Sequence, residues 1–243
     1  MDCPRRVIIT IDGPAGSGKS TLARGLAQAL GIAYLNTGAT YRALALKALR
    51  EGVDPTDEGG AAELVRSAQI DFKPARPGEE DDRVFLDGED ITDHLTSNEV
   101  SVVASAISRH PAVRDALVQL QRQIADRLPR ETDDEEPRRL LGVVAEGRDA
   151  GTVVFPEADV KIFLNATLEE RARRRMIDFD PTRIDLTKAK AEILARDLSD
   201  QKRPVGALKP APDAVLIDNT DWEKEETLER ALEVVREKVR NTV

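Results

Sequence analysis

Three glycines, a lysine and two serines fall within Gly13-Pro14-Ala15-Gly16-Ser17-Gly18-Lys19-Ser20, between an apolar β-branched run and a stretch with helical periodicity. The upstream run, Arg5 to Ile11, has the composition of a buried strand, and Asp12-Gly13-Pro14 ends it. Downstream, Leu22, Leu26 and Leu30 recur at four-residue spacing beside Ala23 and Ala27, and Gly31 stands where a C-terminal cap belongs. A strand that turns through glycines into a helix aims several backbone N–H groups and the positive end of a helix at one point, which makes a phosphate site. The spacing G-x-x-x-x-G-K-S in that context is a P-loop. The expected ATP ligands are therefore Gly13 to Ser20 with Thr21. Lys19 is placed to reach the β- and γ-phosphates, and the Ser20 hydroxyl is suited to ligate Mg²⁺, with Thr21 as the neighbouring candidate.

Further apolar runs at Ile32 to Leu35, Leu140 to Ala145, Val160 to Leu164 and Ala214 to Ile217 read as buried parallel strands, each followed by a turn or a helical pattern. They predict an α/β fold with a doubly wound five-stranded parallel sheet. The stretch between the second and third strands is too long for a simple crossover, so an inserted α+β substructure is expected there. Its antiparallel strands are predicted at Ile70 to Pro74, Arg83 to Leu86 and Glu89 to Thr92, the last two joined by the Asp87-Gly88 turn. Two helices follow, the first capped by Asn98. The second opens at Pro111 with an apolar face of Val113, Leu117, Leu120, Ile124 and Leu128. Glu131 to Pro137 is an acidic loop.

Composition narrows the partners. A net charge of −9 over 243 residues argues against a nucleic-acid polymer as ligand, since nonspecific binding runs on a basic surface. Yet between Lys161 and Arg203 there are 11 Lys/Arg and 8 Asp/Glu, a basic segment on an acidic chain that fits a small, highly charged anion. No apolar run approaches the ~20 residues of a membrane-spanning helix, and Met1-Asp2-Cys3-Pro4 lacks the parts of a secretory signal. A cytoplasmic monomer acting on small molecules, with no membrane partner, is expected. The single cysteine, Cys3, and the two histidines, His94 and His110, offer no zinc-type ligand set.

A P-loop identifies a nucleotide and leaves the reaction open. No N-K-x-D base-reading motif of the GTPase kind is present, and the third strand ends in Val144-Ala145-Glu146-Gly147-Arg148-Asp149. An arginine at that position suits a second phosphate, because a phosphoryl acceptor brings its own anionic nucleophile. Another small-molecule kinase on the same core, or a module that binds ATP without transfer, stays open on these residues alone. Arg148 disfavours the module, since a switch has no use for a second anion site.

Three segments follow the P-loop in order: Thr37-Gly38-Ala39-Thr40-Tyr41-Arg42, Glu146-Gly147-Arg148-Asp149-Ala150-Gly151-Thr152 and Arg196-Asp197-Leu198-Ser199-Asp200-Gln201-Lys202-Arg203. With them the chain resembles the bacterial-type cytidylate kinases, P-loop nucleoside monophosphate kinases, over nearly its whole length. The resemblance implies transfer of the γ-phosphoryl group of ATP to CMP or dCMP with Mg²⁺. It also implies one domain, with a core at about 5–37, 140–165 and 207–243, a monophosphate-binding insert at about 38–130 and a helical lid at about 168–205.

By the same resemblance Lys19, Arg148 and Arg203 are catalytic. Ser105, Arg114 and Asp149 read cytosine, Arg196 and Asp200 meet the ribose, and Arg42, Arg148 and Arg203 hold phosphate, with Thr37 also on the CMP side. Arg171, Arg173, Arg174 and Arg175 resemble part of the lid. Arg171 and Arg174 are assigned to ATP, although the residues leave open which of the four reaches phosphate. The chain departs from the family pattern at Asn36, where Asp is frequent, at Thr40, where Met is usual, and at Ala207-Leu208 in place of Pro-Leu.

Overall fold

The computed structural model describes residues 6–73, 82–128, 141–178 and 185–240. Five strands form one parallel sheet: β1 (Arg6–Asp12), β2 (Ala33–Asn36), β6 (Leu141–Gly147), β7 (Val160–Asn165) and β8 (Val215–Asp218), in the order β2-β6-β1-β7-β8. Helix α1 (Lys19–Leu30) and the C-terminal α8 (Lys224–Arg240) cover one face. There Ile9, Ile11, Val144, Ile162 and Leu164 meet Leu22, Leu26, Ala231 and Val234. The side chains of β6 alternate, so Val143 and Ala145 point to the opposite face and join a second core with Leu35, Ala43 and Leu117. Both faces of the sheet's inner strands are thus dry, which is why they read as continuous apolar runs, while at the edge strand β8 Leu216 is exposed.

The second core belongs mostly to the insertion between β2 and β6. It holds α2 (Thr37–Glu51), α3 (Glu58–Ser67), a three-stranded antiparallel sheet of β3 (Ile70–Lys73), β4 (Arg83–Leu86) and β5 (Glu89–Asp90), then α4 (Asn98–Ile107) and α5 (Pro111–Arg127). A helix pair, α6 (Leu168–Asp178) and α7 (Leu186–Gln201), lies between β7 and β8 and packs Ala172, Ala189 and Ile193 against Ala15.

Local chemistry corrects several expected boundaries. The strand predicted to reach Thr92 stops at Asp90, whose carboxylate accepts the Thr92 N–H at 3.1 Å and hydroxyl at 2.7 Å and turns the chain into a 3₁₀ segment. Ser97, not Asn98, caps α4, its hydroxyl accepting the Val100 N–H at 3.2 Å. The third parallel strand runs on to Gly147, because Glu146 and Gly147 pair with Ile11 and Asp12. Residues 150–154 form a single π-helical turn that the sequence did not announce. Cys3 and the acidic segment Glu131 to Pro137 lie outside the described residues.

The register brings functional positions to one edge. Ile11 and Asn36 both pair with Glu146, so the C-terminal ends of β1, β2 and β6 finish level, beside the point where the strand order reverses. Asn36 passes the chain from strand to helix with no loop, its side chain accepting the Ala39 N–H at 3.2 Å. Ile11, fully buried two residues before the phosphate loop, anchors this edge. Ile11→Ala is expected to cost roughly 2–5 kcal/mol of stability, read as a lower denaturation midpoint at unchanged m-value.

Candidate active site

The glycines of the loop have different duties. Gly16 (φ 74°) and Gly18 (φ 85°) adopt left-handed conformations that a side chain resists. Gly13 is required by space instead, since a Cβ there would stand 2.2 Å from the Leu164 carbonyl oxygen of β7. The loop is also held from outside. Asp197 of α7 accepts the Ala15 N–H at 3.2 Å, and Arg171 of α6 donates to the Ala15 carbonyl at 3.1 Å while pairing with Asp197. Arg174 donates to the Ser17 carbonyl at 3.2 Å and to the Asn219 carbonyl at 2.8 Å, and Asn219 donates to Ser17 as well at 3.3 Å.

Above the loop lies a cavity of about 330 Å³ whose wall carries eight cationic side chains and three carboxylates. Lys19, on the first turn of α1, donates to the Pro14 carbonyl at 3.4 Å. Burial, with the charge of Arg148 added, lowers its pKa to about 7, against the pull of Glu146. Burial and neighbouring cations likewise bring Arg196 down to about 9 and lower Arg42. Cations crowded together in this way suit a polyanion as ligand. Arg148 donates to Asp200 at 2.7 Å and to the Gly13 carbonyl at 3.1 Å, and Arg203 pairs with the same Asp200. Burial opposes the charge of Asp200, but Arg148 and Arg203 outweigh it and hold the carboxyl below its usual range.

Ser20 donates its hydroxyl hydrogen to Glu146 Oε1 at 2.9 Å, and the Tyr34 hydroxyl reaches the same oxygen at 3.4 Å. A hydroxyl and a carboxylate meeting at the head of α1 are hard oxygen donors of the kind Mg²⁺ takes, with phosphate oxygens and water filling the remaining positions. Thr37 points its hydroxyl at the Glu146 carbonyl, 2.8 Å away, and so fixes the start of α2 against the end of β6.

On the insertion side, Arg114 and Asp149 form a buried ion pair, 2% and 8% exposed at their side chains. Arg114 also donates to the Ser108 carbonyl at 3.2 Å and lies over the Tyr41 ring at 5.4 Å. Burial pushes the Asp149 carboxyl above its ordinary value, and Arg114 pulls it back. Ser105 of α4 lines the same end of the cavity.

Of the residues singled out in the sequence, the cavity wall gathers Ala15, Gly16, Gly18, Lys19, Ser20 and Thr21 from the loop region. From the acceptor side it gathers Thr37, Arg42, Ser105, Arg114, Arg148, Asp149, Arg196, Asp200 and Arg203. Gly13, Pro14 and Ser17 stand behind the wall as backbone partners of Arg148, Lys19 and Arg174. Arg171 and Arg174 also stand behind it, their guanidinium groups engaged with loop and strand-end carbonyls. Of the four arginines on α6, Arg175 is the one on the wall. The sequence reading passed over Asp12, Arg24, Asp197 and Asn219. Asp197 was within reach, as an acid beside Arg196 in a motif already quoted; Asn219 belongs to no motif and had no signal.

The sheet order, the phosphate loop and a cavity wall lined by cationic side chains define a P-loop kinase. A family model described as cytidylate kinase matches residues 9–237. The cytidylate kinase of Solibacter usitatus (strain Ellin6076) is 45% identical over 241 residues, covering 98% of this chain and 95% of that protein. That of Geobacillus kaustophilus (strain HTA426) is 43% identical over 239 residues, covering 97% and 99%. That of Pelotomaculum thermopropionicum is 47% identical over 212 residues, covering 86% and 87%. The chain belongs to the cytidylate kinase family.

The lowered pKa of Lys19 has a thermodynamic consequence. At pH 8 the empty site holds this amine mostly neutral, and a bound triphosphate restores its charge, so binding of an unreactive ATP analogue should take up about one proton. Calorimetry in buffers of differing ionisation enthalpy measures this uptake directly. Lys19→Met should abolish most of it, and equal heats in all buffers for the unaltered protein would show Lys19 charged from the start.

Proposed function

We propose that this chain transfers the γ-phosphoryl group of ATP to CMP or dCMP, yielding ADP and CDP or dCDP. The observation that carries the reading is one cavity joining a phosphate loop to a buried Arg114–Asp149 pair, with Arg148 between them. The loop amides and Lys19 take the donor's phosphates. Arg42, Arg148 and Arg203 take the acceptor's phosphate, Arg196 and Asp200 its ribose, and Ser105, Arg114 and Asp149 its base. Arg175 and Arg196, rather than Arg171 and Arg174, bring cationic charge from the helix pair to the polyphosphate. Ser20 and Glu146 would hold Mg²⁺, which neutralises phosphate charge when bound.

No side chain is needed as general base, because the acceptor phosphate is already ionised near neutral pH. Transfer rests on alignment of the two anions and on preorganised cations that meet the charge spreading over the γ-phosphoryl oxygens. The insertion and the α6–α7 pair act as the acceptor-binding part and the lid of a single domain, and closure over both nucleotides excludes water. The enzyme works as a cytoplasmic monomer on small molecules; among the described residues no helix is long and apolar enough to cross a membrane.

Replacing Lys19 by Ala should lower turnover with CMP by roughly two to three powers of ten, the scale for losing one preorganised charge donor. Near-normal turnover in that variant would remove the phosphate loop from the chemistry.

Base choice follows from one ring position. Cytosine presents an amino donor at C4 and uracil a carbonyl oxygen, so a carboxylate facing that position gains a bond with CMP and meets repulsion with UMP. A preference of about 10²- to 10⁴-fold in kcat/KM for CMP over UMP is expected. In Asp149→Asn the amide can serve either base, so CMP activity should fall and the ratio narrow while ATP binding stays. A panel of nucleoside monophosphates at equal concentration tests the activity itself; an unchanged ratio in the variant would move base reading to Ser105, Arg114 or the pocket's shape.

A further inference from the structure

Asp12 is a buried carboxyl that phosphoryl transfer does not call for. It is 4% exposed, stands one residue before the phosphate loop and lies outside the cavity wall. Its two oxygens accept the N–H groups of Ala150 and Gly151, each at 2.7 Å. Those amides open the π-helical turn at 150–154, whose first acceptor is the Asp149 carbonyl, bonded by the Val153 N–H at 2.9 Å and the Val154 N–H at 3.2 Å. The other end of the turn is held from α5, where Arg122 donates from Nε to the Val154 carbonyl at 2.7 Å and from Nη2 to the Val153 carbonyl at 2.9 Å.

A helical turn leaves its first N–H groups and last carbonyls without internal partners, and a single turn has almost nothing else. Here a carboxylate takes the amides and a guanidinium takes the carbonyls, each with the sign that the turn's dipole favours. The seat is tight as well: a Cβ on Gly151 would lie 2.7 Å from Thr10 Oγ1 and 3.3 Å from Asp12 Oδ2. Burial pushes the Asp12 carboxyl up to about 7 even against its two N–H bonds, so the arrangement is held at a cost to the fold.

The turn begins where Arg148 and Asp149, neighbours in sequence, must part. Arg148 points to Gly13 and Asp200 at the phosphate end, while Asp149 points to Arg114 at the other. Asp149 itself is in neither helix nor strand geometry (φ −146°, ψ 22°), so its direction depends on what anchors the residues after it. Arg122 and Arg114 are about two turns apart on α5, so one helix supplies both the partner of Asp149 and the anchor of its turn.

We propose that Asp12 and Arg122 are positioning residues that clamp this turn from its two ends and thereby set acceptor-base selectivity without touching the acceptor. The proposal rests on the assignment of Asp149 to the base made above. Through Asp12 the clamp also ties the selectivity turn to the strand that carries the phosphate loop, so the two substrates' sites are built on one rigid edge.

The test uses the full chain and three variants, Arg122→Met, Arg122→Lys and Asp12→Asn, with steady-state kinetics on CMP and UMP at varied ATP. Arg122→Met should raise KM for CMP and narrow the CMP/UMP ratio of kcat/KM, each by roughly 10-fold, the scale of a sub-ångström to ångström misplacement of a substrate-orienting group. KM for ATP should stay within about twofold. Arg122→Lys can satisfy one carbonyl and should recover part of the loss. Asp12→Asn keeps the shape but turns a donor toward one amide, and should shift the ratio in the same direction. A ratio that stays unchanged in the folded variants, or KM values for both nucleotides that rise together in step with a falling Tm, would overturn the clamp and leave a purely structural role. Hydrogen exchange gives a reading independent of the substrate assignment. The Ala150 and Gly151 amides should exchange faster in Asp12→Asn with global protection kept, and unaltered exchange there overturns the proposal. Absence of CMP turnover in the unaltered protein would instead sink the assignment of function while leaving the exchange result to decide the clamp.

Discussion

Mutual repulsion among crowded, mostly half-buried cations is the constraint around which the rest of this structure is arranged. A cavity wall with eight basic groups and three acids is electrostatically incomplete, and in a low-dielectric setting each uncompensated charge is expensive. The protein offsets this by spending its carboxylates in fixed pairs. Asp200 serves Arg148 and Arg203 together, and Asp149 serves Arg114. The remaining deficit shows in the lowered pKa values of Lys19, Arg42 and Arg196, where burial is the largest cause, the neighbouring Arg148 adds to it, and Glu146 or Asp200 offsets only part. On the proposed function, the phosphates of the two nucleotides would supply counter-ions to these cations.

A site under such repulsion must be held open from behind, and that accounts for residues that face away from the ligands. Arg171 and Asp197 grip the carbonyl and the amide of Ala15, and Arg174 with Asn219 grips Ser17. These arginines lend structure to the loop while Arg175 and Arg196, on the same two helices, face the cavity. The helix pair is therefore bolted to the phosphate loop at its base through the Ala15 contacts. Asp12 and Arg122 make a corresponding brace for the residues after Asp149.

Much of this was legible before any coordinates. Five apolar runs marked the sheet because strands dry on both faces have no polar alternation to confuse, and the P-loop spacing located the strand-to-helix turn. Arg148 stood out as an arginine at the end of a buried strand, and Asp149 through the family resemblance alone. What stayed hidden was partnership across long separations. Asp12 meets Ala150 and Gly151 across 138 and 139 residues, and nothing local distinguishes it from an acid that merely ends a strand. The likeness to the family's lid assigned Arg171 and Arg174 to ATP; their guanidinium groups reach loop carbonyls while Arg175 lines the cavity, a division that depends on packing and that periodicity does not encode. Ser97 and Asn98 are both good caps, and only the extended backbone at Ser97 decides between them. The π-turn was invisible because Thr152, Val153 and Val154 favour strand over helix; their conformation is imposed by the braces at its ends.

On the proposed function, the same braces let one short segment hold both ends of the acceptor. Arg148 and Asp149 are consecutive, so any freedom in the backbone between them would couple an error in phosphate placement to an error at the base. A buried anchor from the strand that feeds the phosphate loop and a half-buried one from the helix that carries Arg114 remove that freedom by fixing where the following amides and carbonyls lie. Burying the Asp12 carboxyl costs stability, a common exchange in sites that must be preorganised. Selectivity at the base and alignment at the phosphate are then two readings of the same rigid turn, and what separates them is the direction in which each neighbouring side chain leaves it.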